Sequence, residues 1–244
     1  MQTVGNLKIS ISADKETAAQ TAAAGISEFL RQEKENVLLL VSGGSSLQIL
    51  DHININSCGE HLTITVLDER FGVAREDNNF FQFTTTKFYD HAKRSGCHFV
   101  EFLRETKEDT ADAFEVSLRA WRDENRQGKI IAIVGVGDDG HTAGMMPFPE
   151  DHALFGRLFE GNRWIVSYSA SGKNQFPLRV TTTMTFLKTL DRVFVFATGA
   201  EKGNAIRSIG EEENVANVPA LVLRGLHGVL YIDEQLAISS DLKI

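Results

Sequence analysis

Short apolar runs that alternate with amphipathic segments predict an α/β fold: a mostly parallel central sheet with helices on both faces. Two observations carry this. VLLLV at residues 37–41 and IIAIV at 130–134 are continuous apolar runs of strand length, as expected of strands covered on both faces. Several such runs break into a glycine-rich or charged turn before the next element, which gathers polar residues at the end of the sheet where α/β proteins bind ligands. The chain has 244 residues, 42% of them hydrophobic and 24% charged. With four prolines and no linker or repeat, residues 1–244 read as a single domain, with room for a small β appendage.

Residues 7–11 alternate apolar and polar, as a half-buried strand does, and Ala18, Ala22, Ile26, Phe29 and Leu30 then share one helix face. The strand at 37–41 runs into Ser42-Gly43-Gly44-Ser45-Ser46 and a helical LQIL. A strand, a Gly-Gly turn and a helix start collect free backbone N–H groups into an anion site, although the Gly-Lys-Ser/Thr ending of a nucleotide loop is missing. Residues 62–67 form a strand ending in Asp68-Glu69-Arg70, a run whose usual fate is a solvated loop. Residues 77–94 look helical, capped by Asp77 or Asn78, with Phe80, Phe81 and Phe88 inward, and 97–102 a short strand. Thr106 and Asp109 approximate a capping box for a helix carrying Ala111, Phe114, Leu118 and Trp121, with Gly128 suited to its C′ position.

The strand at 130–134 opens the most informative stretch, GVGDDGHTA, in which His141 stands beside Asp138 and Asp139. GVGDDG fits the dinucleotide fingerprint G-x-G-x-x-G. That motif needs a long helix next and an acidic strand end about 20 residues on. Pro147 and Pro149 limit any helix to about two turns, and no acidic strand end follows, so the nucleotide reading is the weaker one. A looser region leads to a strand at 164–168, a polar loop at 169–176, and a segment at 177–183 that is either helical or extended. RVFVFA at 192–197 is a strand, TGAEK follows, and a helix over 203–209 stops at Gly210. Lys202 thus sits near a helix start, where the dipole does not favour a cation, a mild hint of an anionic partner. Residues 218–223 and 229–232 close the chain as two short strands.

The net charge of −8 has the wrong sign for a nucleic-acid or anionic-membrane partner. Cys58 and Cys97 lack metal spacing and are too few for a disulfide framework, no apolar run reaches membrane-spanning length, and no signal peptide is visible. The expectation is a cytoplasmic protein.

Taken together, SGGSS, DER, GVGDDGHTA, the arginine before VTTT (Arg179) and TGAEK, each just after an apparent strand, resemble the 6-phosphogluconolactonase family, which shares its fold with glucosamine-6-phosphate deaminases. The resemblance implies a Rossmann-like sheet of the sugar-phosphate isomerase/deaminase type. It also implies hydrolysis of 6-phospho-D-glucono-1,5-lactone to 6-phosphogluconate in the oxidative pentose phosphate pathway, without cofactor or metal, by a monomer or homodimer whose partner is a small sugar phosphate. Deaminases carry Asp-Glu-aromatic and a glutamate shortly after Asp-Gly-His; here Arg70 follows Glu69, and TAGMMP holds no glutamate. The chain departs from the family's pattern at Met145-Met146, at Asn78-Asn79, and where the proline-rich stretch before Arg179 shrinks to Pro177.

On this reading Gly43, Gly44, Ser45 and Ser46 hold the phosphate, with charge from Arg179 and Lys202. His141 takes a proton from the attacking water. Asp139 orients the imidazole, Arg70 lies by the oxyanion or the sugar hydroxyls, and Asp68 and Glu69 anchor the loop or bind hydroxyls. The rivals are a deaminase or isomerase using Asp68 as base, and a non-catalytic sugar-phosphate sensor.

Overall fold

The computed structural model describes residues 2–242. A hairpin of β1 (Thr3–Val4) and β2 (Leu7–Ser12) leads into α1 (Lys15–Gln32), whose first turn is capped by the Asp14 carboxylate accepting from the Thr17 N–H at 2.7 Å. After β3 (Val37–Val41) the chain winds as a 3₁₀ helix over Gly44–His52, reaches β4 (Leu62–Val66), and at once forms β5 (Asp68–Arg70). Then come α2 (Asn79–Thr84), α3 (Lys87–Arg94), β6 (His98–Phe99), α4 (Lys107–Glu124) and β7 (Lys129–Gly135). The last part is α5 (His152–Phe159), β8 (Ile165–Ser169), β9 (Leu178–Thr182), α6 (Met184–Leu187), β10 (Arg192–Phe196), α7 (Gly203–Glu211), β11 (Gly228–Asp233) and α8 (Glu234–Ser239).

Eight strands make one sheet in the order β1-β2-β11-β10-β7-β3-β4-β6, parallel throughout except for the β1–β2 hairpin. This is the expected α/β architecture, with helices around a mostly parallel sheet. From β3 the chain steps outward through β4 to β6, then returns to β7 and steps the other way through β10 to β11. The junction between β3 and β7 is therefore the topological switch point, and the register Val41↔Ile133 and Phe196↔Gly135 brings these strands to a common rim. β3 and residues 130–134 of β7 are wholly buried, which is why they read as unbroken apolar runs. The β appendage is a three-stranded antiparallel sheet, β5-β9-β8, against which α4 packs. At the core Phe102 and Phe114 stack with ring centroids 3.7 Å apart.

Several local expectations are corrected. Asp68-Glu69-Arg70 is no solvated loop but a strand with Asp68 and Glu69 buried, because β9 pairs with it, Arg70 against Arg179. The helix expected over 77–94 breaks in two at Thr85-Thr86, and Phe83, not Phe81, joins Phe80 and Phe88 in the core; Phe81 stays half-buried under the Arg75 guanidinium. α4 ends at Glu124 with Asn125 as cap, so Gly128 is not its C′ residue. No helix follows Asp-Gly-His, and the looser region beyond holds α5. Residues 177–183 resolve as the strand β9, Gly210 lies inside α7, and Pro219–Gly225 forms a 3₁₀ turn led by proline where a strand was expected.

Candidate active site

A cleft of about 240 Å³ opens outside the carboxyl ends of β3 and β7. It is lined by all the phosphate-site candidates, Gly43, Gly44, Ser45, Ser46, Arg179 and Lys202, and by Asp68, Arg70 and His141; Asp139 stands behind His141.

The Gly43-Gly44 turn follows from two constraints. Gly44 has φ +64°, the left-handed region, with open space around it, whereas at Gly43 any Cβ would run into the Asn79 carboxamide. Ser42 ties the turn to β7, its Oγ accepting the Gly135 N–H at 3.2 Å. The first N–H groups of the 3₁₀ helix have no partner within it, and Gly43, Gly44 and Ser45, which carry the turn, line the cleft. Ser46, 1% exposed, lines the cleft with its Oγ unpartnered among the described residues.

Strand alternation divides the next three residues. Asp68 and Arg70 line the cleft; Glu69 turns away, fully buried, and accepts the N–H groups of Arg70 (2.8 Å), Asn79 (2.6 Å) and Phe80 (2.9 Å). It thereby caps α2, a role expected of Asp77 or Asn78; Asn78 stands at the N-cap, but its side chain instead donates to the Arg70 carbonyl. Burial outweighs these bonds and holds the Glu69 carboxyl above its ordinary range. Asp68 pairs with Arg179 at 3.2 Å, both side chains 6% exposed. Arg179 also donates to the Phe176 carbonyl and the Asn174 side chain, so much of its charge is already answered inside the wall. Arg70 lies over the Phe176 ring at 4.5 Å, donates to the Asp77 carbonyl, and leaves its buried Nε without a partner among the described residues.

The Asp-Gly-His turn closes on itself: Gly137 N–H donates to the His141 carbonyl at 2.9 Å, and Gly140 takes φ +83°. The Asp139 carboxylate accepts the His141 backbone N–H at 2.9 Å and meets His141 Nδ1 at 2.5 Å. A carboxylate there assigns the ring proton to Nδ1, leaving Nε2 with a lone pair when the imidazole is neutral. Burial works to raise Asp139, but the bond and charge of His141 outweigh it and hold the carboxyl below its usual range. Beyond the turn, Thr142 donates to the Gly135 carbonyl and Met145 and Met146 are wholly buried, so this segment offers the cleft no acid. Burial pushes the Lys202 amine down, and no acid lies within the 4.0 Å of an ion pair among the described residues.

Sequence reasoning missed Asn79, Asn174, Gln175 and Phe176, all of which line the cleft. Asn79 was hidden as a helix-start residue, and the other three in a polar hairpin loop that only the β8–β9 pairing folds over the site.

The profile of the "Glucosamine-6-phosphate isomerases/6-phosphogluconolactonase" family matches residues 13–232. The chain is 34% identical to human 6-phosphogluconolactonase over 109 residues, which is 44% of this chain and 40% of that relative's length. It is 26% identical to the glucosamine-6-phosphate deaminase of Shewanella loihica over 247 aligned positions, 95% of this chain and 89% of the relative. Among solved structures, the 6-phosphogluconolactonase of Trypanosoma cruzi superposes with a TM-score of 0.77 at 17% identity, covering 100% of this chain and 99% of that one.

Proposed function

The chain belongs to the glucosamine-6-phosphate isomerase/6-phosphogluconolactonase family, and from that premise we propose that it hydrolyses 6-phospho-D-glucono-1,5-lactone to 6-phosphogluconate. The observation that carries this is His141, held by Asp139 through Nδ1 at 2.5 Å on the rim of the same cleft that the Gly43-Gly44 turn and Lys202 line. The phosphate dianion sits on the N–H groups of Gly43, Gly44 and Ser45 and the Ser46 hydroxyl. Lys202, half-buried without an acid partner among the described residues, supplies the opposite charge.

His141 Nε2 takes a proton from water as its oxygen adds to the lactone carbonyl carbon. The imidazolium that forms is stabilised by Asp139, and Arg70 stands by the developing oxyanion. Collapse breaks the bond from that carbon to the ring oxygen, which receives the proton from His141. The acid product then ionises to 6-phosphogluconate. General-base help of this kind contributes about 10²–10⁴-fold, adequate for an activated ester. Asp68 is engaged with Arg179 and so is poorly placed to act as a free base on an amino-sugar phosphate.

The deciding experiment is a coupled assay with freshly generated lactone, corrected for spontaneous hydrolysis, beside an ammonia assay with glucosamine-6-phosphate. Lactone turnover without ammonia is expected; ammonia release without lactone turnover overturns the proposal in favour of the deaminase. Binding of the lactone with neither activity would make the chain a sugar-phosphate sensor. The protein is expected to act in the cytoplasm, as a monomer or homodimer, without nucleic-acid or membrane partners.

A further inference from the structure

The turn that carries Lys202 is held from behind the cleft. Gly199 stands at φ +95°, where a Cβ would collide with the Glu201 carboxylate, and its carbonyl accepts the Lys202 N–H at 3.2 Å. The Gly199 N–H in turn donates to Asp233, with both carboxylate oxygens at 3.2 Å. Two hydrogen bonds through a single residue, Gly199, therefore run from the Asp233 carboxylate to the Lys202 backbone. Asp233 itself does not line the cleft.

Asp233 ends β11 and also caps α8, its Oδ1 accepting the Leu236 N–H at 2.9 Å. It is 5% exposed, and no cation lies within 4.0 Å of its carboxylate among the described residues. Capping alone does not call for such a group, because serine or asparagine caps a helix as well and buries no charge. What the carboxylate adds is a second acceptor oxygen for Gly199 and a negative charge behind the turn. Burial pushes the Lys202 amine down; Glu201, Asp138 and Asp233 oppose this, and Lys15 adds to it. α8 backs the turn a second time at Gly203, where a Cβ would meet the Ser239 carbonyl oxygen at 2.7 Å.

We propose that Asp233 is a positioning residue for phosphate binding: through Gly199 it holds the Lys202 turn where the amine meets the phosphate of the substrate. The inference rests on the assignment of Lys202 to the phosphate and adds to it a residue outside the cleft on which that contact depends.

The test is a double-mutant cycle on the affinity for 6-phosphogluconate, read by calorimetry on the unaltered protein, Asp233→Asn, Lys202→Ala and the double variant. Asparagine keeps an oxygen for Leu236 and sets an NH₂ group against the Gly199 N–H, so the cap of α8 survives while the tie to the turn is lost. Asp233→Ser, which caps α8 with its hydroxyl, is a second variant and should behave alike. Each should weaken binding about 3- to 10-fold when Lys202 is present and leave it unchanged once Lys202 is alanine. Equal weakening in both backgrounds overturns the inference, since a general loosening of the fold would give that pattern. So does a variant that binds as tightly as the unaltered protein, or an unaltered protein that does not bind 6-phosphogluconate. Lactone turnover is measured on the same samples: if it is absent while the coupling stands, the lactonase reading fails and the positioning role of Asp233 holds for a sugar-phosphate sensor.

Discussion

At the scale of single residues the proposed chemistry divides between groups that act on the reacting carbon and groups that hold the remote phosphate. His141→Ala is expected to lower kcat by about 10²–10⁴-fold with KM little changed, because the imidazole acts only as the proton moves. Lys202→Ala should mainly raise KM, since its charge is felt equally by the bound substrate and the transition state; steady-state kinetics on both variants checks the division. Asp139→Asn should cost a comparable factor in kcat while leaving the turn folded, because an amide N–H toward Nδ1 favours the tautomer with its proton on Nε2. Circular dichroism beside the kinetics separates this from unfolding. With its carboxyl held low by His141, Asp139 stabilises the fold at pH values above its ordinary 3.8, and that contribution is lost as pH falls through the depressed value. The individual chemistry was legible in the sequence wherever partners are close in the chain: Asp139 and His141 are two residues apart. Asp68 and Arg179 are 111 apart, and nothing local announces that they neutralise each other.

At the scale of elements, the glycine turn and the buried cap of α2 set the shape of the cleft. Gly43→Ala places a Cβ 2.6 Å from the Asn79 carboxamide carbon. It should raise KM and cost about 1–3 kcal/mol of stability through overpacking, as read by kinetics and urea unfolding. Glu69→Gln should cost about 1–3 kcal/mol, because its amide NH₂ would confront a backbone N–H now met by a carboxylate oxygen. The sign with pH is opposite to that of Asp139. The folded state binds the Glu69 proton more tightly than the unfolded chain, so stability falls as pH rises from the ordinary 4.5 to the raised folded value. Denaturant titrations at several pH values should show this slope flattened in Glu69→Gln. Central strands were readable because burial on both faces leaves them uniformly apolar. β5 was not, since three charges in a row carry no strand signal until β9 supplies the ladder. PALVLRG misled in the other direction: an apolar run with strand-like composition winds into a 3₁₀ turn because proline starts it and the core covers five of its residues.

At the scale of the whole molecule, the cleft is assembled from segments spread between Ser42 and Lys202, so a ligand in it holds most of the fold at once. 6-Phosphogluconate at about 100 times its Kd should add about 2.7 kcal/mol and raise Tm by about 5–10 °C. A thermal scan should show the entire transition moving together; no shift at saturating product would count against a sugar-phosphate site. The sheet order has a further consequence. β2, formed from residues near the start, finds its parallel partner only in β11, near the end, and β11 in turn separates it from β10. During synthesis the earliest long strand therefore has only β1 beside it, and no parallel neighbour, until the ribosome has passed Asp233. The nascent chain carries an open sheet edge for nearly the whole of its translation, and the seam that closes it is the last one sewn.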